Sequence, residues 1–235
     1  MERFWYLFLI LIYLIFKMIF DFKKFKASKL KAKSHKLCRG MTYVELIVVL
    51  GIFSVIASIV LFNYGGFQAK VDIKNLASEF ALKIVEAQKA SLSGKLPPLA
   101  QQSQINSTWK PSYGVYIDRV ADNKSFIYFT DLNSPTQNGI YNASSCPGVG
   151  ECLEKITITK NNSISSLDVF YQGDVTPHSL NDLTVIFSRP NSSAVIKSTQ
   201  INITLIISYV QITVLSPKSP IAKIKLYPSG RVQVN

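Results

Sequence analysis

The stretch that decides the fold is Met41–Phe62, which reads MTYVELIVVLGIFSVIASIVLF and carries no charge after Glu45. As a helix, these 22 residues would extend about 33 Å, enough to cross the hydrocarbon core of a bilayer. An acidic side chain inside an apolar segment costs roughly 2.5–3.5 kcal/mol on insertion, so it normally has a function and a partner. We therefore expect a membrane-spanning helix in which Glu45 has a specific role.

The positive charge of the chain is concentrated ahead of this stretch. The 235 residues include 26 Lys+Arg and 14 Asp+Glu, a formal net charge of +12. Residues 1–40 hold ten basic and two acidic residues, whereas residues 41–235 hold sixteen and twelve. Basic residues beside a span stay in the cytoplasm, so the chain after Phe62 is predicted to lie outside. Nucleic acid is an unsupported partner, because the remaining cations are scattered along the sequence.

The composition limits the classes of protein to which the chain can belong. With 48% hydrophobic and 17% charged residues, the chain is not a disordered tail protein. Its length suits one domain plus a membrane anchor. A second apolar run, Phe4–Phe20, lies upstream and is interrupted by Lys17. At 17 residues it is either a short first span, forming a membrane hairpin with the second run, or an extension ahead of a start at Met18.

The helix is predicted to continue beyond the membrane. Asn63–Gly66 marks an expected kink or local melt, and Gly94 followed by two prolines is expected to end the helix. Glu79 and Lys83 are spaced as an i,i+4 ion pair on the solvent side. An apolar stripe is expected to seat the following domain. Its members are Ile73, Leu76, Phe80, Ile84 and Ala87.

From residue 96 onward the hydrophobic period changes to two, which is typical of β-strands. The predicted strands are Tyr113–Ile117, Phe126–Thr130, the segment around Ile156 and Ile158, Leu167–Tyr171, Leu183–Phe187, Ile201–Ile207, Val210–Val214, Ile224–Leu226 and Val232–Val234. A phase slip near Ser208 indicates a bulge or a strand that changes sheets. Pro228–Gly230 is predicted to form a turn between the last two strands.

These patterns predict an α+β fold, in which a long N-terminal helix packs against a C-terminal antiparallel β-rich globular domain. The first half of the helix is expected to span the membrane. We divide the chain into a basic leader with an extra apolar run at 1–40, a hydrophobic and then amphipathic helix at 41–95, and the β-rich domain at 96–235.

Arg39-Gly40 followed by MTYVELIVVLGIFSVIASIVL resembles the prepilin-type N-terminal segment of type IV pilins and type II secretion pseudopilins. The shared parts are a basic leader ending in Gly40, a hydrophobic first mature residue at Met41, then Thr42, a glutamate fifth at Glu45, and about twenty apolar residues. Met41 stands where the family more often has phenylalanine, and the leader is long. The order of the elements is similar to that of minor pilins and minor pseudopilins.

The resemblance implies cleavage between Gly40 and Met41 by a prepilin peptidase at the cytoplasmic face, and methylation of the new amine of Met41. It implies a single-pass protein of the cytoplasmic (inner) membrane, with the β-domain outside. Other pilin or pseudopilin subunits and an inner-membrane assembly platform would then build it into an extracellular filament or a periplasmic pseudopilus. Glu45, with Thr42 beside it, would set the register between subunits by pairing with the Met41 amine.

Three cysteines occupy two compartments in this scheme. Cys38 lies in the leader, whereas Cys146 and Cys152 bracket five residues on the exported side, where oxidation is favoured. Their disulfide would stabilise the fold by about 2 kcal/mol in the chain-entropy model. The zinc alternative lacks ligands, because His178 is the only histidine after Gly40. No metal or cofactor is expected.

No sequence pattern indicates an enzyme. The chain has no nucleophile-elbow, zinc-protease or phosphate-loop motif. His178 lies in a polar Thr-Pro-His-Ser segment, and the pairs Asp118/Asp122 and Asp168/Asp174 fall where strands end and turns begin, where acids are ordinary.

Two functions of different classes follow. The first is the filament subunit just described. The second is a membrane-anchored surface module whose β-domain recognises an adhesion ligand, another ligand or DNA without polymerising. The second predicts an uncleaved N-terminus and indifference to Glu45.

Overall fold

The computed structural model describes residues 43–133, 136–143, 145–148, 150–202, 204–218 and 220–235. The predictions for the leader, for Phe4–Phe20, and for Cys38, Gly40, Met41 and Thr42 fall outside these residues. The chain divides into two compact units, with the boundary between Tyr64 and Gly65.

The first element is a 50-residue helix, α1 (Tyr43–Leu92). Of the kink or local melt predicted at Asn63–Gly66, the melt is wrong, because these residues are helical. Glycine weakens a helix by about 1 kcal/mol, but extending a helix already nucleated adds one hydrogen bond for each residue fixed. The predicted end is confirmed: Gly94 has φ +68°, and the N–H of Lys95 donates to Ala90 O at 3.0 Å. A short helix, α2 (Leu99–Gln102), follows.

The rest of the second unit contains two antiparallel sheets of five strands each. Sheet A has the order β3-β2-β1-β6-β7, with β1 Ser112–Asp118, β2 Ser125–Thr130, β3 Cys152–Thr157, β6 Asp182–Ser188 and β7 Ala194–Lys197. Sheet B has the order β10-β9-β8-β4-β5, with β4 Ser163–Tyr171, β5 His178–Ser179, β8 Ile207–Leu215, β9 Ile221–Leu226 and β10 Val232–Val234. The predicted α+β class, with one long helix and an antiparallel β-rich domain, is confirmed.

One hydrophobic core joins the second part of α1 to both sheets. The predicted stripe is confirmed, since all five of its members are at most 7% exposed. Phe80 lies at its centre and stacks on Phe126 of sheet A at 3.9 Å between ring centroids. Leu167 and Ile212 of sheet B belong to the same cluster and are fully buried. The apolar residues that recur every 3.6 positions on the helix and every 2 positions on the strands therefore pack into one interior.

The strand predicted at Ile201–Ile207 is wrong, because β8 begins only at Ile207. Asn202 explains the difference: its Oδ1 accepts hydrogen bonds from the Thr204 N–H at 3.0 Å and the Thr204 hydroxyl at 2.7 Å. Such a turn offers the backbone an alternative to a sheet ladder. The strands β5 and β7 were not predicted, since two and four residues give too short a pattern.

The phase slip near Ser208 is a β-bulge. Phe170 pairs with Tyr209, and the next residue of β4, Tyr171, pairs with Ile207. Two residues of β8 therefore advance for one of β4. The predicted turn between β9 and β10 is also confirmed, because the Tyr227 N–H donates to Arg231 O at 3.0 Å.

The predicted Glu79–Lys83 pair is not formed. The Lys83 ammonium lies instead 2.7 Å from Glu154 of β3 and 3.1 Å from Glu86. Burial lowers the pKa of Lys83, but the hydrogen bonds to Glu154 and Glu86 outweigh it, and the net shift is upward. Lys83 thus pairs with an acid of the sheet and with a different acid of its own helix.

Phe80→Ala should lower the free energy of unfolding by about 3–5 kcal/mol, because it empties a fully buried site in the shared core. The measurement is denaturant unfolding of the full chain in detergent. Leu82→Ala is the matched control, since Leu82 is 65% exposed on the same helix and should change stability by less than about 0.5 kcal/mol. Equal effects of the two substitutions would contradict the packing described.

Candidate membrane-anchor and assembly segment

The first part of α1, residues 43–62, is apolar on every side of the helix. We call it the apolar segment. Residues 44–53, nearly three turns, illustrate the point, because seven of these ten residues are exposed large hydrophobic side chains. They are Val44, Leu46, Ile47, Val49, Leu50, Ile52 and Phe53. Covering each such side chain gains about 1.5–3 kcal/mol. A helix apolar all round requires lipid or other protein around it.

The structure agrees with the predicted membrane anchor in its coarse form. Among the described residues, α1 is the one helix long and apolar enough to cross a membrane. None of the residues in its most apolar 18-residue window is buried within the protein. The core of the second unit, by contrast, covers the later part of the same helix, from Ala69 to Ser91.

Glu45 lies in the first turn of α1 and is exposed on the helix surface. A negative charge in the first turn of a helix is favoured by the helix dipole. Gly40, Met41 and Thr42 lie outside the described residues, so the cleavage, methylation and register roles assigned to them remain predictions.

The predicted disulfide joins Cys146 to Cys152, whose Cα atoms are 5.2 Å apart. The bond closes one end of the loop at 131–151, which we call the cross-linked loop. Its Tyr141 packs with Phe129 and Ile186 in a second, smaller hydrophobic cluster on sheet A. The loop therefore contributes to folding and not only to connection.

Two buried carboxylates tie the ends of the cross-linked loop to its interior. Asp131 follows β2 and Glu151 precedes β3, and their exposures are 2% and 6%. Asp131 Oδ2 accepts a hydrogen bond from the Gly139 N–H at 2.7 Å. Glu151 Oε2 accepts one from the Asn142 N–H at 2.6 Å. Sequence reasoning missed both residues, since acids beside strands are ordinary and carry no separate signal.

Burial raises the pKa of Asp131 to about 6, from an ordinary 3.8. The Gly139 hydrogen bond opposes this shift, and the Glu151 charge adds to it. Burial also raises the pKa of Glu151. Among the described residues no group donates to Asp131 Oδ1. Ionised Asp131 therefore lowers the stability of the folded state, and this cost builds up as the pH rises from the unfolded pKa of 3.8 to about 6.

The remaining sequence candidates are not brought together into a catalytic site. His178 Nε2 lies 2.8 Å from Asp174 Oδ2, and both side chains are largely exposed. The hydrogen bond from His178 is the main cause that lowers the pKa of Asp174 to about 2. Asp118 accepts hydrogen bonds from the N–H groups of the turn that follows it, as turn acids do. Within the described ranges, no group of three or more His, Cys, Asp or Glu side chains could hold a metal ion.

A polar cavity of about 250 Å³ lies beside α1, next to the turn between β3 and β4. The Lys160 ammonium and the Asp72 carboxylate are 2.6 Å apart at its wall. Typical ligand sites are apolar and larger, about 300–1,000 Å³. The cavity is therefore smaller and more polar than a typical ligand site.

Comparison of the chain with protein-family models, with curated proteins and with solved structures gave no match in any of the three.

The Asp131 geometry predicts a specific pH dependence. When the pH is lowered from 7 to 5, the unfolding free energy of the wild type should rise by on the order of 1 kcal/mol relative to that of Asp131→Asn. The reason is that the Asp131 carboxyl of the folded wild type takes up a proton in this range, whereas the asparagine cannot. The measurement is denaturant unfolding of both proteins at the two pH values.

Asp122→Asn is the matched control for this experiment. The hydrogen bond from Ser125 and the contact with Lys155 lower the pKa of Asp122 to about 2, so its stabilising contribution is lost only below the unfolded value of 3.8. The difference between Asp122→Asn and wild type should stay constant from pH 7 to pH 5. A difference for Asp131→Asn that is equally flat would show that Asp131 is not buried as described.

Proposed function

We propose that the chain is a structural subunit, of the minor type, of a type IV pilus-like or type II secretion pseudopilus filament. It would be cleaved after Gly40 and inserted in the cytoplasmic membrane with its β-domain outside. One observation carries the proposal: an apolar segment with a glutamate in its first turn continues directly into a helix that seats a folded β-domain. In a helix that serves only as an anchor, that glutamate would cost insertion energy without a compensating role.

The proposed role of Glu45 follows from electrostatics. Cleavage after Gly40 would leave a positive amine on Met41, one helical turn before Glu45. In hydrocarbon neither charge is tolerated alone, and pairing restores part of the desolvation cost. If Glu45 of one subunit binds the amine of a neighbour, the pair fixes the axial offset between their helices. The charge pair would then set the axial register between neighbouring subunits.

The apolar segment would supply the cohesion. Its side chains would be covered by lipid before assembly and by neighbouring helices afterwards, so an apolar surface would be available in both states. The prepilin peptidase and the assembly platform are the partners that this route requires. The β-domain would then form the outer part of the subunit.

The test of this function is Glu45→Ala in the native host. Membrane retention and cleavage should persist, because removing the charge also removes an insertion cost of about 2.5–3.5 kcal/mol. Incorporation into filaments should fall at least about tenfold, as expected if each subunit loses about 1.4 kcal/mol of pairing energy. Immunoblots of sheared filaments and of the membrane fraction measure both quantities.

Glu79→Ala is the matched control, since Glu79 is an exposed acid on the same helix beyond the apolar segment. It should leave assembly unchanged. Wild-type assembly of Glu45→Ala would remove the role of the carboxylate and would favour the alternative, an anchored binding module that does not polymerise.

A further inference from the structure

The turn between β8 and β9 lies against the helix where the folded unit begins. A Cβ atom placed on Gly65 would stand 2.5 Å from the Lys218 ammonium nitrogen, closer than real Cβ atoms approach. The Lys218 side chain therefore occupies the space that any other residue at position 65 would need. The Ser216 N–H donates to Pro220 O at 3.0 Å and closes the turn.

In this turn, exposed apolar side chains lie on both sides of the Lys218 ammonium. Leu215 and Ile221 face each other in the register of β8 and β9, and they are 36% and 54% exposed. Phe67, on the helix two residues beyond Gly65, is 65% exposed. Among the described residues, Lys218 has no carboxylate in ion-pair contact. We call Leu215, Lys218, Ile221 and Phe67 the membrane-proximal surface.

Chain connectivity fixes the depth of Lys218 in an anchored protein. Gly65 follows Phe62, the end of the apolar segment, by three residues, or about 4.5 Å along a helix. The headgroup layer on each side of a bilayer is about 5–7 Å thick. When the apolar segment fills the hydrocarbon core, a group in contact with Gly65 would therefore lie within reach of the headgroup layer.

We propose that the membrane-proximal surface binds anionic phospholipid headgroups of the leaflet in which α1 is anchored. The inference rests on the anchoring part of the proposed function and not on filament assembly. The Lys218 ammonium would bind lipid phosphate, while the exposed apolar side chains beside it enter the interface, as in other snorkelling contacts. Continuity with the anchor and the unpaired positive charge favour lipid over a neighbouring protein chain.

The experiment uses the full chain in nanodiscs of phosphatidylcholine alone and of phosphatidylcholine mixed with phosphatidylglycerol. Hydrogen exchange of residues 215–221 is followed by mass spectrometry. Exchange should be about fivefold slower in the anionic discs, as expected for about 1 kcal/mol from one lysine near an anionic surface. High salt should abolish the difference.

Lys218→Glu should abolish the lipid dependence, and Lys218→Gln should reduce it. Lys223→Glu is the matched control, since Lys223 is exposed on β9 and does not contact Gly65, and it should retain the full effect. Equal exchange of the wild type in both discs would overturn the inference while leaving the anchor intact. Protection that depends on the number of chains per disc would assign the surface to a second copy and would also overturn it. Failure of the chain to enter discs at all would instead contradict the anchor.

Discussion

An 18-residue, strongly apolar stretch of α1 has no residue buried within the described protein, and this constraint determines most of what the chain can be. At about 1.5–3 kcal/mol for each large side chain, such a surface cannot stay in water. One face of the same helix is covered further along, where Phe80 and Ile84 are at most 1% exposed. The two parts of this helix thus have different surroundings. The later part packs against the β-domain, whereas the apolar segment must be covered by lipid or by other chains.

The β-domain is held together by a core that both sheets share with the later part of α1. A second cluster, closed by the Cys146–Cys152 disulfide, covers part of sheet A through the cross-linked loop. The buried carboxyl groups of Asp131 and Glu151 make that loop sensitive to pH. Disulfides persist outside the cytoplasm, which is where the proposed function would place this domain.

The fold was largely predictable because apolar periodicity reports burial directly. The stripe centred on Phe80, the strands around Val115 and Ile212, and the bulge at Ser208 all left that signal. The segment before Ile207 misled, because its alternating isoleucines suggested a strand while Asn202 forms a local turn. The buried role of Asp131 and the contact of Lys218 with Gly65 depend on residues far apart in the chain, so no local pattern could show them. The proposed assembly segment was recognisable from Gly40, Met41, Thr42, Glu45 and the apolar run that follows them. Of these, Glu45 carries a physical signal of its own, because a carboxylate is costly in an apolar segment.

The central claim is that the chain is cut before Met41 and that the new amine works together with Glu45. The most direct test is the intact mass and N-terminal peptide mass of the protein purified from native membranes. The account predicts a chain that begins with N-methylated Met41. A chain that begins at Met1 or Met18 would contradict it and would leave a tethered β-domain without the means to assemble.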